Sequence, residues 1–403
     1  MVNADIRYRA ADLIAYASAL FAAAGCDGDK PTVIAAGLVE ADLLGHTTHG
    51  LQLAPAYLAE LVNGGMLSHG EPTVIADRGA AITWDGRTLP GVWLTTKAVD
   101  LAVERVATYG VATVVIRRSH HIGCLAAFLQ RATDRGLMII IACSDPAVAS
   151  VAPFGGRKAV FTPDPFAVGI PTDGDPIWID ISASITTNGL AGRLKREGKR
   201  FPGAWALDAA GVATDDPAVL FDDPPGTLLP TGGIDHGHKG YGLALMVEAL
   251  TQGLGGFGRS KAPSGWGASV YVQVTDPAAF GGSQAFCQET GWLAKTCRET
   301  PPIPGVEAVR LPGQQGLARK RSALAEGVVL YPGIMDSLAA YASQFDVLPP
   351  IPTRSDSSKI DVSRKKSGSK TRPALARLGC GSIDVGWLIN KNFINPCWLS
   401  ADF

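Results

Sequence analysis

The chain has 403 residues, of which 46% are hydrophobic and 18% are charged, and its formal net charge at pH 7 is -1. This length is sufficient for a large buried core and for more than one domain. The near-neutral charge argues against a nucleic-acid partner recruited by electrostatics. The most apolar run, residues 137–143, is too short to cross a bilayer, so we expect no membrane partner either.

The cellular location is predicted from the N-terminus and the cysteines. Asp5, Arg7 and Arg9 precede the first apolar run, which does not resemble a secretory signal. The 7 cysteines are scattered and form no C-x-x-C pair, which is typical of reduced thiols. We therefore expect a cytoplasmic protein.

The opening of the chain is predicted to be a layer of helices. Apolar residues recur at helical spacing over residues 8–25 and stop at a glycine. Pro31 opens a second helix, and a third helix runs from about Pro55 to Asn63. We expect residues 1–70 to form this helical part and to pack with about residues 300–350.

From residue 71 the hydrophobic period changes, and predicted strands alternate with predicted helices as far as about residue 300. Strands are predicted over residues 73–77, 81–84, 112–116, 137–143, 177–181 and 270–274, and helices over 95–109, 123–135 and 243–250. A further helix is predicted beyond this range, over residues 319–325. Such alternation predicts an α/β architecture for residues 71–300. Residues 353–373 are rich in Ser, Lys and Arg, so 351–403 is predicted to be an atypical, disordered tail.

The stretch from Glu40 to Gly50 concentrates chemically active side chains at the end of the second predicted helix. It holds two carboxylates, two histidines and two threonines. Histidine transfers protons near neutral pH, and Thr48 could orient the ring of His49. A helix end with a histidine favoured by the dipole and a glycine cap explains the same pattern. The spacing alone leaves both interpretations open.

Three further motifs were weighed. His49, His121, Asp180 and Lys239 each stand in a short polar break, and together they suggest an oxidoreductase or lyase site with an anionic ligand. Residues 253–258 satisfy G-x-G-x-x-G, but they follow a predicted helix, so we interpret them as a helix end and turn. The histidine pairs have no metal-binding spacing, and no metal site is predicted.

Several segments between about residues 5 and 345 resemble the malate/L-lactate dehydrogenase family, and they occur in the order that the family has. This is a non-Rossmann family that also includes sulfolactate and ureidoglycolate dehydrogenases and piperideine/pyrroline-2-carboxylate reductases. The segments that carry the resemblance are residues 40–57, 119–123, 151–157, 180–184, 197–217, 239–248 and 310–313.

The resemblance implies an L-sulfolactate dehydrogenase-like fold, with a mixed sheet flanked by helices and an N-terminal helical layer. It implies a homodimeric enzyme that uses NAD or NADP to transfer a hydride to or from C2 of a 2-oxo/2-hydroxy acid or a cyclic imino acid. The proton donor of the family falls on His49, supported by Thr48 and Asp180, and His121 is expected near the substrate.

The resemblance also assigns the cofactor contacts. By position in the family motifs, the nucleotide would contact Ile179, Asp180, Ile181, Ser182, Ala183, Ser184, Ile185, His238, Lys239, Gly313, Gln314 and Gln315. These positions are carried over from the family pattern.

One departure from the family bears on substrate binding. Family members usually place an arginine four residues after the proton donor, where it clamps the substrate carboxylate, and here that position is Leu53. Arg117, Arg118 or Lys239 could replace the missing cation, or the substrate could lack that carboxylate. A non-catalytic ligand-binding protein on the same scaffold is the alternative that Leu53 leaves open.

Overall fold

The structure, a computed structural model, describes residues 6–354, so the tail prediction for residues 355–403 lies outside the described residues. Within the described range the helices are α1 Ala10–Ala23, α2 Lys30–Leu44, α3 Ala54–Asn63, α4 Gly91–Tyr109, α5 Gln130–Thr133, α6 Asn188–Arg196, α7 Gly233–His236, α8 His238–Glu248, α9 Ser283–Glu299, α10 Gln314–Glu326 and α11 Ile334–Phe345. The strands are β1 Ile6–Arg7, β2 Thr73–Asp77, β3 Ala81–Asp85, β4 Val111–Ser119, β5 Met138–Ser144, β6 Pro165–Ile170, β7 Ile177–Ser182, β8 Ala206–Leu207, β9 Ala213–Thr214, β10 Thr227–Leu228, β11 Ala268–Thr275 and β12 Thr353–Arg354.

The main sheet has seven strands in the order β2-β3-β4-β11-β5-β6-β7. Every neighbouring pair is antiparallel except β3 and β4, which run parallel, so the sheet is mixed. Strand β11 lies at the centre, and six of its eight residues are buried, as expected for a strand covered on both faces. This arrangement confirms the predicted α/β class with a mixed sheet flanked by helices.

The N-terminal helices form a layer whose apolar residues join one large core with α4 and the inner side of the sheet. Helix α2 packs against α1 and α10, and α11 packs against α3 and α1. Strand β12 pairs with β1, which brings residues 353–354 beside residues 6–7. None of the helices in the described part of the chain combines the length and hydropathy of a membrane-spanning segment.

Some predicted elements differ from the structure. The helix predicted over residues 123–135 is a 3₁₀ turn, Leu125–Phe128, followed by the short α5, and the N–H of Ala126 in that turn donates to the Asp180 side chain of β7 instead of to a helix carbonyl. The sequence pattern also missed β6, α6, α9 and α11. The glycine-rich motif at 253–258 follows a π-helical turn, Ala249–Gly253, and precedes a 3₁₀ turn, which confirms its interpretation as a helix end and turn.

Candidate active site

A cavity of about 740 Å³ opens between the turn after α2, the ends of β5 and β7, and the start of α6. This volume lies within the range of about 300–1,000 Å³ that is usual for small-molecule and cofactor sites. The part of its lining used below consists of His46, Thr48, His49, Leu53, His121, Cys124, Asp145, Asp180, Thr187, Gly189 and Trp266. The cavity therefore brings together the predicted residues His49, His121 and Asp180.

The turn that presents His49 is held by Asp42 at the end of α2. One carboxylate oxygen of Asp42 accepts the backbone N–H of Leu51 at 2.8 Å. The backbone of Gly50 passes so close to the Asp42 carboxylate that a Cβ at this position would overlap it. Burial is the main cause that raises the pKa of Asp42, to about 7. The glycine after His49 is therefore required by a close approach and does more than end the helix.

The imidazole of His49 is oriented by its neighbour in sequence. The hydroxyl of Thr48 lies 2.8 Å from Nδ1 of the ring. Burial lowers the pKa of His49 below its usual 6.5, while the negative charge of Asp180 opposes that shift. The ring is therefore mostly neutral at pH 7 and gains a proton more readily because of Asp180.

Asp180 lies near the end of β7, at the edge of the sheet. Its Oδ2 accepts the backbone N–H of Ala126 at 2.9 Å and lies 3.6 Å from the thiol of Cys124. Its influence on His49 is electrostatic, acting across the cavity. Burial and the charge of Asp180 raise the pKa of the Cys124 thiol well above its usual value, so this cysteine stays protonated.

His121 has a defined tautomer. The backbone N–H of Gly123 donates to its Nδ1, and the hydroxyl of Tyr57 lies 2.7 Å from the same nitrogen. Because Nδ1 accepts, the neutral ring carries its proton on Nε2. Burial lowers the pKa of His121 well below its usual value, which keeps the ring neutral. The ring lies against Trp266, with 4.8 Å between the ring centroids.

The start of α6 faces His49. Thr187 is the N-cap residue, and its side chain accepts the backbone N–H of Leu190. A Cβ built on Gly189 would lie 4.0 Å from Cε1 of His49. The sequence analysis missed this helix, although a threonine cap followed by basic residues in the last turn, Arg193, Lys195 and Arg196, is a helix signal.

None of the three cations considered as replacements for the family arginine lines the cavity. Arg117 and Arg118 both pair with Asp85, each at 3.1 Å. Lys239 is exposed at the start of α8. Leu53 lines the cavity, and no lysine or arginine from residues 6–354 does so.

The predicted cofactor residues fall into two groups. Asp180, Ile181, Ser182, Ser184 and Ile185 line the cavity. The others, Ile179, Ala183, His238, Lys239, Gly313, Gln314 and Gln315, do not line it. Helix α8 packs with Gly240 against the backbone of Ala183, which leaves Lys239 on its outer side, and Gly313 lies against Trp178 at the opposite end of β7. Their contact with a nucleotide remains a prediction and requires a ligand that extends past the cavity.

The cavity lining has groups for two kinds of ligand, an organic molecule and a metal ion. A nicotinamide ring and a small acid fit the cavity volume, and the hydroxyls and backbone of residues 182–187 supply polar contacts. One potential metal-binding group occurs among the described residues: a nitrogen of His46, the thiol of Cys124 and an oxygen of Asp180 lie within 4.8 Å of one another.

Comparison with known proteins agrees with the geometry. The family model "Malate/L-lactate dehydrogenase" matches residues 8–339. The chain is 30% identical to an L-lactate dehydrogenase of Cupriavidus necator over 82% of this chain and 95% of that protein. It is 32% identical to a (2R)-3-sulfolactate dehydrogenase (NADP(+)) of Chromohalobacter salexigens over 84% of this chain and 98% of that protein.

Solved structures show the same fold. A malate dehydrogenase from Entamoeba histolytica superposes with a TM-score of 0.81 at 23% identity, covering 86% of this chain and 99% of that one. A delta1-piperideine-2-carboxylate reductase from Pseudomonas syringae superposes with a TM-score of 0.73 at 27% identity, covering 83% and 99%.

Proposed function

The chain belongs to the malate/L-lactate dehydrogenase family, and on that premise we propose that it is an NAD(P)-dependent oxidoreductase with His49 as its acid/base. Its substrate would be a 2-oxo/2-hydroxy acid or a cyclic imino acid, with hydride transferred to or from C2. The observation that carries the proposal is the shared cavity, in which His49 lies with Asp180 and His121.

His49 supplies the proton transfer. In the proposed reduction, negative charge develops on the substrate oxygen or nitrogen, and Nε2 of the His49 imidazolium protonates it. In the imidazolium Nδ1 carries a hydrogen, which the hydroxyl of Thr48, 2.8 Å away, accepts, and we assign the transferred proton to the other ring nitrogen, Nε2. Asp180 stabilises the imidazolium by its charge. In the oxidation, the neutral ring accepts the hydroxyl proton through the same nitrogen.

Residues around His49 orient the substrate. The Nε2–H of His121 donates to an oxygen of the substrate, because Tyr57 and Gly123 hold its other nitrogen. The first turn of α6 faces His49, and the positive end of its dipole favours a carboxylate there. Leu53 and Trp266 give the cavity an apolar wall that displaces water. A nicotinamide cofactor, when bound, supplies or accepts the hydride.

The test is the substitution His49→Ala. We expect turnover, followed by nicotinamide absorbance, to fall by about 10²–10⁴-fold, while cofactor binding measured by calorimetry is unchanged. His69→Ala is the matched control, because its ring also lies beside a hydroxyl, that of Ser68, at 3.2 Å but outside the cavity lining. Wild-type turnover in His49→Ala would remove the assignment.

Leu53 favours a second candidate, a catalytically degenerate homologue that binds ligands on this scaffold. Leu53 lines the cavity where the family usually has an arginine, so a substrate carboxylate has no guanidinium to bind at this position. This candidate predicts nucleotide or acid binding without nicotinamide oxidation for pyruvate, oxaloacetate, hydroxy acids and cyclic imino acids, with either NADH or NADPH. Turnover of any of them eliminates it.

We also propose a cytoplasmic homodimer that uses NAD or NADP. We place the contact with a second copy at α7 and α8, where Ile234, Leu245 and Met246 are 51%, 48% and 42% exposed. Sedimentation measures the oligomeric state, and assays with both cofactors measure the preference between them.

A further inference from the structure

The cavity has a second carboxylate that the proposed proton transfer does not use. Asp145 follows β5 directly, in the cavity wall. Its Oδ1 accepts the backbone N–H of Ala147 at 2.8 Å, and its Oδ2 accepts the backbone N–H of Gly267 at 3.4 Å. Two backbone donors therefore fix the orientation of this carboxylate, so its charge has a defined position.

A chain of contacts relates Asp145 to the reacting centre. Gly267, which Asp145 contacts, follows Trp266, and the indole lies 4.8 Å from the ring of His121. The ring of His121 in turn lies 6.1 Å from that of His49, measured between centroids. Asp145 thus lies on the His121–Trp266 side of the cavity, and we take the part of the substrate beyond its reacting carbon to extend toward this side.

One cation, Arg259, acts on Asp145 from outside the cavity lining. Burial raises the pKa of Asp145, and the positive charge of Arg259 opposes that shift. Arg259 also forms an ion pair with Glu248 at 2.7 Å, so one guanidinium is shared by two carboxylates and does not neutralise both. No lysine or arginine among residues 6–354 lines the cavity itself. Arg193, behind His49, donates to Thr47 and Gln52.

We infer that Asp145 makes the cavity reject a second anionic group and accept substrates whose part beyond the reacting carbon is neutral or cationic. The inference deepens the proposed function and rests on it, because it names the substrate class of the same site. Oxaloacetate and 3-sulfopyruvate carry a second anion, whereas pyruvate, 2-oxobutyrate and cyclic imino monoacids do not. At an effective dielectric constant of about 20, two like charges roughly 7–10 Å apart disfavour binding by about 10- to 100-fold.

The test compares 2-oxobutyrate with oxaloacetate, which has the same number of carbon atoms and one more negative charge. Binding is measured by calorimetry in the presence of oxidised cofactor, where no reduction occurs, and kcat/KM is measured with reduced cofactor. Asp145→Asn removes the charge and keeps the shape. Asp276→Asn is the matched control, since its Oδ1 also accepts a backbone N–H two residues on, that of Ala278, outside the cavity lining.

We expect the wild type to prefer 2-oxobutyrate by about tenfold or more in both measurements, and Asp145→Asn to narrow that ratio by about tenfold. Asp276→Asn should keep the wild-type ratio. The inference is overturned if the wild type prefers oxaloacetate, or if Asp145→Asn keeps the wild-type ratio between the two acids. In either case, turnover of one of the acids still supports the proposed dehydrogenase. Selective binding without turnover supports charge selection and overturns a 2-oxo acid dehydrogenase. No binding of either acid overturns the inference and leaves a cyclic imino acid as the substrate of the proposed enzyme.

Discussion

The phenolic oxygen of Tyr57 lies 2.7 Å from Nδ1 of His121, although the two residues are 64 positions apart in the chain. The backbone N–H of Gly123 donates to the same nitrogen, so Nδ1 is an acceptor and the tyrosine hydroxyl donates to it; the carbonyl oxygen of His121, 3.3 Å away, is the second acceptor within reach of that hydroxyl. The pair fixes the neutral tautomer of His121 with its proton on Nε2. Tyr57 is therefore a positioning residue that acts on the substrate through His121.

Replacing Tyr57 by phenylalanine should impair substrate binding. The ring of His121 loses the shorter of its two hydrogen bonds at Nδ1, and only the 3.3 Å bond from the N–H of Gly123 is left to hold the tautomer that donates to the substrate. We expect kcat/KM to fall by about tenfold, mainly through KM, and stability to fall by about 1 kcal/mol. Steady-state kinetics and thermal unfolding measure both effects. Tyr109→Phe, at an exposed position, is the control, and unchanged KM in Tyr57→Phe would contradict the tautomer argument.

The pH dependence should differ between the two directions of reaction. Burial lowers the pKa of His49 below 6.5. Oxidation needs the neutral ring, so its kcat/KM should be constant above that pKa and fall as the pH drops through it. Reduction needs the imidazolium, so its kcat/KM should fall as the pH rises through the same pKa. Rate profiles at constant ionic strength measure both limbs, and parallel profiles for the two directions would contradict a single acid/base group.

Replacing Asp180 should shift the pH profiles of both directions of the reaction. Its negative charge raises the pKa of His49, so Asp180→Asn should move the inflection of both profiles to lower pH. A merely structural role for Asp180 would lower the rate without moving the inflection. The control His69→Ala should keep the wild-type profile.

The sequence predicted the elements whose apolar residues carry a clear period. Strand β2 has its predicted bounds although none of its residues is buried, because a short run of strand-forming residues stands between polar turns. Helices α1 and α4 begin or end within a few residues of their predicted bounds, because their buried residues recur at helical spacing. Helix α10 was predicted only in part and has no buried residue, so no apolar stripe could mark its limits. Helix α6 buries a single alanine and was missed for the same reason.

Which side chains meet in the cavity was harder to predict than the helices and strands. The family resemblance selected His49, His121 and Asp180, which the fold gathers in one cavity. It did not indicate Tyr57 or Asp145, because their roles depend on contacts with residues distant in the chain, His121 and Gly267. Lys239 was selected for its charge, but the packing of Gly240 against Ala183 leaves it outside the cavity lining.

Gly50→Ala should damage the turn that holds His49. A Cβ at this position would overlap the Asp42 carboxylate, which is itself fixed by the N–H of Leu51. We expect a stability loss of about 1–3 kcal/mol and a fall in kcat/KM of about tenfold or more as His49 moves. Chemical denaturation and steady-state kinetics measure the two effects. Gly174→Ala, where a Cβ meets nothing within 4 Å, is the control, and a fully active, stable Gly50→Ala would show that the turn adapts without cost.

Leu53→Arg restores the side chain that the family usually has at this position and tests whether its loss limits binding. Leu53 lines the cavity, so a guanidinium there can form two charge-assisted hydrogen bonds with a substrate carboxylate. We expect KM for a 2-oxo monoacid to fall by about tenfold, or, if the wild type binds without turnover, turnover to appear. Leu53→Gln is the control, since its amide can donate hydrogen bonds but has no charge. If the glutamine variant improves binding as much as the arginine variant, polarity rather than charge at position 53 sets the affinity, and the missing cation is irrelevant to the substrate of this enzyme.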